Sequence, residues 1–151
     1  GSLTELYIPK TVTNLAQAFG ANNIKGDAAF IYARNSDGTE DKTFLLSFGD
    51  KTRSTVVVPD GVKTIGYASF VSTNAESIIL PDSVSTINSS AFFSTRSLKT
   101  VSIGIGITSI SSQAFNQTPN VDTINIKRKP DAISGAPWGA TKATVNWTGT
   151  V

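Results

Sequence analysis

The sequence predicts a solenoid: a repeat of short parallel β-strands joined by tight helical or 3₁₀ turns, with a β-hairpin insertion and a C-terminal cap. Three observations carry this. The segment Thr55-Val-Val-Val-Pro-Asp-Gly-Val-Lys-Thr-Ile-Gly-Tyr-Ala-Ser-Phe70 returns as Ser77 to Phe92 and again as Thr100 to Phe115. The anchors Val58, Leu80, Ile103 and Ile126 are spaced 22, 23 and 23 residues apart. Apolar residues keep fixed offsets from each anchor: Val62, Val84 and Ile107, then Ile65, Ile87 and Ile110, then Phe70, Phe92 and Phe115. One unit of this size cannot bury such a row alone, so neighbours must stack into a continuous core.

Taken in order, the first unit is Leu6, Ile8, Pro9, Val12, Leu15 and Phe19, with Leu3 closing a preceding repeat. The array is therefore expected to begin inside a longer protein. Between Phe19 and Val56, Ala29–Arg34 and Lys42–Phe48 flank Asn35-Ser-Asp-Gly-Thr-Glu-Asp41, the pattern of a hairpin with an Asp-Gly turn. The strands that follow alternate, so Val56/Val58, Ile78/Leu80, Val101/Ile103 and Ile124/Ile126 face inward, as do Leu6 and Ile8. Pro9, Pro59 and Pro81 end their strands because proline cannot donate to a ladder. A second extended piece ends at Ile65, Ile87 or Ile110 before the corner around the Phe. Twelve residues after Ile126 stands Trp138, the Phe position of a last degenerate unit, and Ala143–Trp147 supplies a final strand. The expected organisation is a single domain over 1–151. Its repeats run about 3–22, 54–76, 77–99, 100–122 and 123–140, with the insertion at about 27–50 and the cap at about 130–151.

Composition excludes several chemistries. The chain of 151 residues has no His and no Cys, so Cys/His zinc sites, His-based catalytic arrangements and disulfides are out of reach. An enzyme is not expected, and neither is a cofactor or a metal. Residues 1–90 carry 7 basic and 9 acidic groups and residues 91–151 carry 6 and 2, scattered except for Lys127-Arg128-Lys129. That falls short of the broad stripe a nucleic-acid surface needs. No apolar run of 18 residues suggests membrane insertion. Gly1-Ser2 reads as an expression scar, so leader and anchor segments are expected to lie outside this sequence.

The pattern Ile/Val-x-Ile/Val/Leu-Pro-Asp-x-Val-x-x-Ile-x-x-x-Ala/Ser-Phe resembles the BspA-like leucine-rich repeats of bacterial surface proteins, most closely at Ser77 to Lys99. The resemblance implies a right-handed leucine-rich-repeat solenoid and a non-catalytic protein-binding or adhesion module, extracellular or at the bacterial cell surface. It implies a host or bacterial surface protein as partner, or a glycan. The end, Ile133 to Thr141 followed by Ala143 to Trp147, is similar to the terminating segment of such arrays. Where the family usually has Cys, three residues after the Phe, this chain has Thr73, Thr95 and Thr118. A stacked Thr row bonding to neighbouring backbone is expected in its place.

Candidate binding residues follow from the strand pattern. Tyr7, Val57, Ile79, Ser102 and Asn125 point outward, one per coil, with rungs about 4.8 Å apart. Val57 and Ile79 are apolar where a solvated face favours polar residues, and the expectation is that the hairpin packs over them; an open binding patch is the alternative. Lys127, Arg128 and Lys129 form either a solvated rim or a contact for an anionic partner. Tyr7, Tyr32, Trp138 and Trp147 could stack on a sugar, although Trp138 falls on the core row. The carboxylates between Asn35 and Asp41 lack calcium-loop spacing and fit a hairpin tip. Gly104-Ile-Gly-Ile107 is better explained by repeat register than as a dinucleotide motif. Asn88, Asn116 and Asn146 begin Asn-x-Ser/Thr triplets of little weight. The competing functional reading is a structural spacer carrying another domain.

Overall fold

The computed structural model describes residues 8–12 and 24–151. The expectations placed on Leu3, Leu6, Tyr7, Leu15 and Phe19 lie outside the described residues. A 3₁₀ helix at Gly26–Ala29 leads into β1 (Phe30–Arg34) and β2 (Glu40–Phe48). The coils then contribute β3 (Thr55–Val57), β4 (Thr64–Ile65), β5 (Ser77–Ile79), β6 (Thr86–Ile87), β7 (Thr100–Ile103), β8 (Ser109–Ile110) and β9 (Thr123–Ile126), and β10 (Thr144–Trp147) ends the series. Among the described residues these form two five-stranded sheets, ordered β1-β2-β4-β6-β8 and β10-β9-β7-β5-β3.

The repeat period sets the register. Val56 pairs with Ile78, Ile78 with Val101 and Val101 with Ile124, all in parallel. These four residues are fully buried. The same translation aligns Ile65 with Ile87 and Ile87 with Ile110 in the second sheet. The turns at the three prolines are closed the same way, by Val12 N–H to Pro9 O, Val62 N–H to Pro59 O and Val84 N–H to Pro81 O.

The hairpin joins the array as a coil. Phe44 and Leu45 of β2 pair with Thr64 and Ile65 of β4, and Phe48 N–H donates to Ser69 O. At the tip, Gly38 takes a left-handed φ of 89° and its N–H reaches Asn35 O. A continuous aromatic column is completed in this way. Phe30, Phe48, Phe70, Phe92 and Phe115 follow one another with ring centroids 5.1, 5.6, 5.4 and 4.7 Å apart. Trp138 extends it in the chain, its carbonyl accepting Phe115 N–H.

The corners differ from expectation. Instead of helical or 3₁₀ turns, each is a run of single turns, such as Ser69 N–H to Gly66 O, Val71 N–H to Ala68 O and Thr73 N–H to Phe70 O. Ala68, Ser72, Ser90, Ser94 and Gln117 have φ between 50° and 58°, which breaks any helical succession. Past the corner the Thr row forms as expected: Thr73, Thr95 and Thr118 are buried. Thr95 Oγ1 donates to Phe92 O at 2.7 Å and Thr118 Oγ1 to Phe115 O at 2.6 Å.

One hydroxyl is badly placed. Ser69 shares a row with the fully buried Ala91 and Ala114, and its Oγ has no hydrogen-bond partner among the described residues. Ser69→Ala is expected to raise stability by about 1 kcal/mol, since an unpaired buried hydroxyl is removed at almost constant volume. A urea midpoint unchanged or lower in the variant would contradict this.

Charged groups seal the hairpin side. Lys51, mostly buried, donates to Phe48 O and Val71 O, and burial pushes its ammonium down from the ordinary lysine value. Asp50 bridges Lys25 at 3.0 Å and Arg53 at 3.5 Å, while the Arg53 guanidinium lies 5.6 and 5.2 Å from the Phe30 and Phe48 ring centres. Burial alone would raise the Asp50 carboxyl, but hydrogen bonds from Thr52 and Lys25 outweigh it and hold it at about 2. Its folded value thus lies below the ordinary 3.8, so the stability it contributes is present above about pH 4 and lost as pH falls toward 2. Asp50→Asn is expected to lower stability at pH 7 by on the order of 1–2 kcal/mol after screening. The gap between variant and parent should shrink at pH 2; urea midpoints that keep the same gap at both pH values would refute the assignment.

Candidate functional site

The sheet of β3, β5, β7, β9 and β10 has one face against the core and one outside. Period two sends Val56, Ile78, Val101 and Ile124 in, and Val57, Ile79, Ser102 and Asn125 out. Asn146 of β10 pairs with Asn125 and adds a rung. Along this column the chemistry changes from apolar to amide. Val57 is 59% exposed and Ile79 38%, whereas Asn146 Nδ2 donates to Asn125 Oδ1 at 3.0 Å. Tyr7 lies outside the described residues.

The expected cover over Val57 and Ile79 does not form. The hairpin is committed to the other sheet through β2 and β4, and its Phe44–Phe48 segment continues the rows that contain Thr64, Ile65 and Phe70. Its inward side chains have their burial there, which leaves the first strand face open.

A second outward column was not singled out from the sequence. Thr55, Ser77, Thr100, Thr123 and Thr144 pair in succession and line the same face with hydroxyls. The signal was available, because a hydroxyl residue opens each of these strands. Side-chain size decides its character: these short groups stand beside Val57 and Ile79 without covering them.

The basic run divides into three roles. Lys127 is exposed and reaches Asp82 at 3.3 Å, across one intervening coil. Arg128 is structural, its guanidinium donating to Ile105 O, Ile107 O and Val151 O. Lys129 bonds Val151 through its backbone N–H and leaves its side chain exposed. Three adjacent cations therefore do not form one free anion-binding patch. On the acidic side, a backbone hydrogen bond from Ile105 and then Lys127 hold the Asp82 carboxyl below its ordinary value. Asp60, in the same position one coil earlier, is exposed and makes no ion pair or side-chain hydrogen bond among the described residues.

The aromatic candidates offer no platform for sugar stacking at two of their positions. Tyr32 and Trp138 are buried, Trp138 fully, with its indole N–H on Ser134 O. Trp147 packs edge-on against Trp138 at 6.1 Å. At the hairpin tip, Asp37 and Asp41 accept hydrogen bonds from Thr39 and Thr43. No cluster of three potential metal-ligating side chains occurs among the described residues. No helix among them is long and apolar enough to cross a membrane.

Residues 47–137 match the model of the BspA type leucine rich repeat region, in six copies. The chain belongs to the BspA-type leucine-rich repeat family. The match begins at Ser47, so it takes in the last two residues of β2, the strand that pairs with β4. Two solved structures share the fold of this BspA-type chain. A leucine rich repeat protein of T. pallidum superposes with a TM-score of 0.56 at 19% identity, covering 82% of this chain and 64% of that one. A leucine rich cell surface protein from Faecalibacterium prausnitzii A2-165 gives 0.53 at 22% identity, covering 99% of this chain and 49% of that one. The BspA-type chain thus spans less than two thirds of either. No curated protein matches it.

Proposed function

We propose that this chain is a non-catalytic protein-binding module, used in adhesion, of a bacterial secreted or cell-surface protein, and that it presents the β3–β10 strand face to its partner. The observation that carries the reading is the open apolar pair Val57 and Ile79 on a face whose other outward residues are Ser, Thr and Asn. Aliphatic side chains at adjacent rungs gain free energy when a partner covers them, and a spacer has no use for them there. The cell-surface description of the Faecalibacterium structure agrees with the proposed location. The absence of His and Cys from the sequence agrees with a non-catalytic role.

The test is adhesion of beads coated with the domain to immobilised extracellular-matrix proteins and to bacterial cells. Val57→Thr with Ile79→Thr keeps β-propensity while removing apolar surface. Retention by the parent, a tenfold or greater loss in the double variant and none in Lys42→Ser on the hairpin would support the strand face. Equal retention by parent and double variant would exclude it, and no retention by either would favour the spacer.

A further inference from the structure

Resting on the strand-face reading, we propose that the occupant of the Val57–Ile79 end is a cationic partner segment: an extended peptide with an apolar anchor flanked by Lys or Arg. Three placements lead to this. Val57 and Ile79 are register partners and form the exposed apolar end of the outward column among the described residues. Asp60 and Asp82 each follow the proline that ends those strands, three residues beyond Val57 and Ile79. Lys127 follows β9 directly, two residues beyond Asn125, and its ammonium reaches Asp82, so the Asp82 carboxylate lies by the ends of these strands.

Two cations of the described residues near this end are engaged within the chain, Arg53 and Lys10. Arg53 is held by Asp50, Gly26 O and the rings of Phe30 and Phe48. Lys10, which follows Pro9 as Asp60 follows Pro59, donates to Ser36 O. Among the described residues Asp60 stays unpaired, and the Asp82–Lys127 pair is exposed on both sides, the kind of pair an incoming guanidinium replaces at little cost. At the far end the face carries the amides Asn125 and Asn146, while Lys127 is paired with Asp82 and Arg128 is turned onto carbonyls. The face thus runs from apolar rungs followed by Asp60 and Asp82 at one end to amides at the other. Charge complementarity selects a basic, apolar segment for the first.

The probes are three twelve-residue synthetic peptides with one shared apolar centre and flanks of Lys, Ser or Glu. Each is titrated into the intact, isotope-labelled domain while backbone amides are followed by NMR. The Lys-flanked peptide is expected to shift the amides of Val57, Ile79 and Asp60 saturably, with at least tenfold higher affinity than the Glu-flanked one. Asp60→Asn should weaken it about threefold and reduce its salt dependence; Val57→Thr with Ile79→Thr should abolish it. Both variants are surface changes, and their own spectra report whether the fold is kept. Equal binding of all three peptides at Val57 and Ile79, or stronger binding of the Ser or Glu peptide there, overturns the charge inference and leaves the strand-face reading standing. Shifts centred on Asn125 and Asn146 overturn the placement. If no peptide perturbs the face, both readings fall.

Discussion

Phe92→Ala is expected to destabilise the domain by about 3–5 kcal/mol, the range for truncating a fully buried aromatic that leaves a cavity. Phe92 has zero exposure and lies between Phe70 and Phe115, whose rings stand 5.4 and 4.7 Å away and within 6° of parallel. Two interfaces are therefore lost by one substitution. Because a solenoid is held together by contacts between neighbouring coils, the gap separates the coils before Phe92 from those after it. Equilibrium urea unfolding should show the lower midpoint and a broader transition. Phe30→Ala, at the end of the column with one ring neighbour among the described residues, should cost less. A loss below about 1 kcal/mol for Phe92→Ala would mean that the column does not hold the array together.

Gly106→Ala is expected to cost about 3 kcal/mol, the upper end of what overpacking costs. A Cβ on Gly106 would overlap the carbonyl oxygen of Asp82, and one on Gly104 would lie 2.5 Å from Asp82 Cα. Backbone atoms cannot rotate aside as a side-chain tip can, so the coil must shift. The shift would also draw Ile105 N–H away from Asp82 Oδ1, where it donates at 3.1 Å. Gly61→Ala is the informative comparison. Gly61 has open space around its Cβ direction but φ of 95°, so its penalty is conformational and about 1 kcal/mol. Thermal melts that rank Gly61→Ala as the worse variant would show that the close approach to Asp82 is relieved cheaply.

Much of this architecture was legible because translation by 22 or 23 residues converts one-dimensional spacing directly into neighbours. Val56, Ile78, Val101 and Ile124 could be placed on one ladder from their numbers alone, and so could Phe70, Phe92, Phe115 and Trp138. The hairpin was harder. Residues 45 to 48 are all buried, so alternation gives no inner and outer face, and the useful signal was metric: Phe48 stands 22 residues before Phe70. Using it would have put β2 into the array and left Val57 and Ile79 uncovered. The corners were misread because Ala and Ser carry no visible mark of positive φ, unlike Gly or Asn. In the Lys127-Arg128-Lys129 run, charge counting treats three residues alike, while the fold turns Arg128 onto carbonyls and leaves the two lysines outside.

The contact between Lys127 and Asp82 skips a coil, and Arg128 holds carbonyls on both sides of its own. In a string of units coupled only to the next, tension applied at the two ends peels one unit at a time. A side chain that bonds the segments on both sides of its own coil strengthens that step. Arg128 does so toward Ile105, Ile107 and Val151, so a tether under flow should yield last at the C-terminal coils.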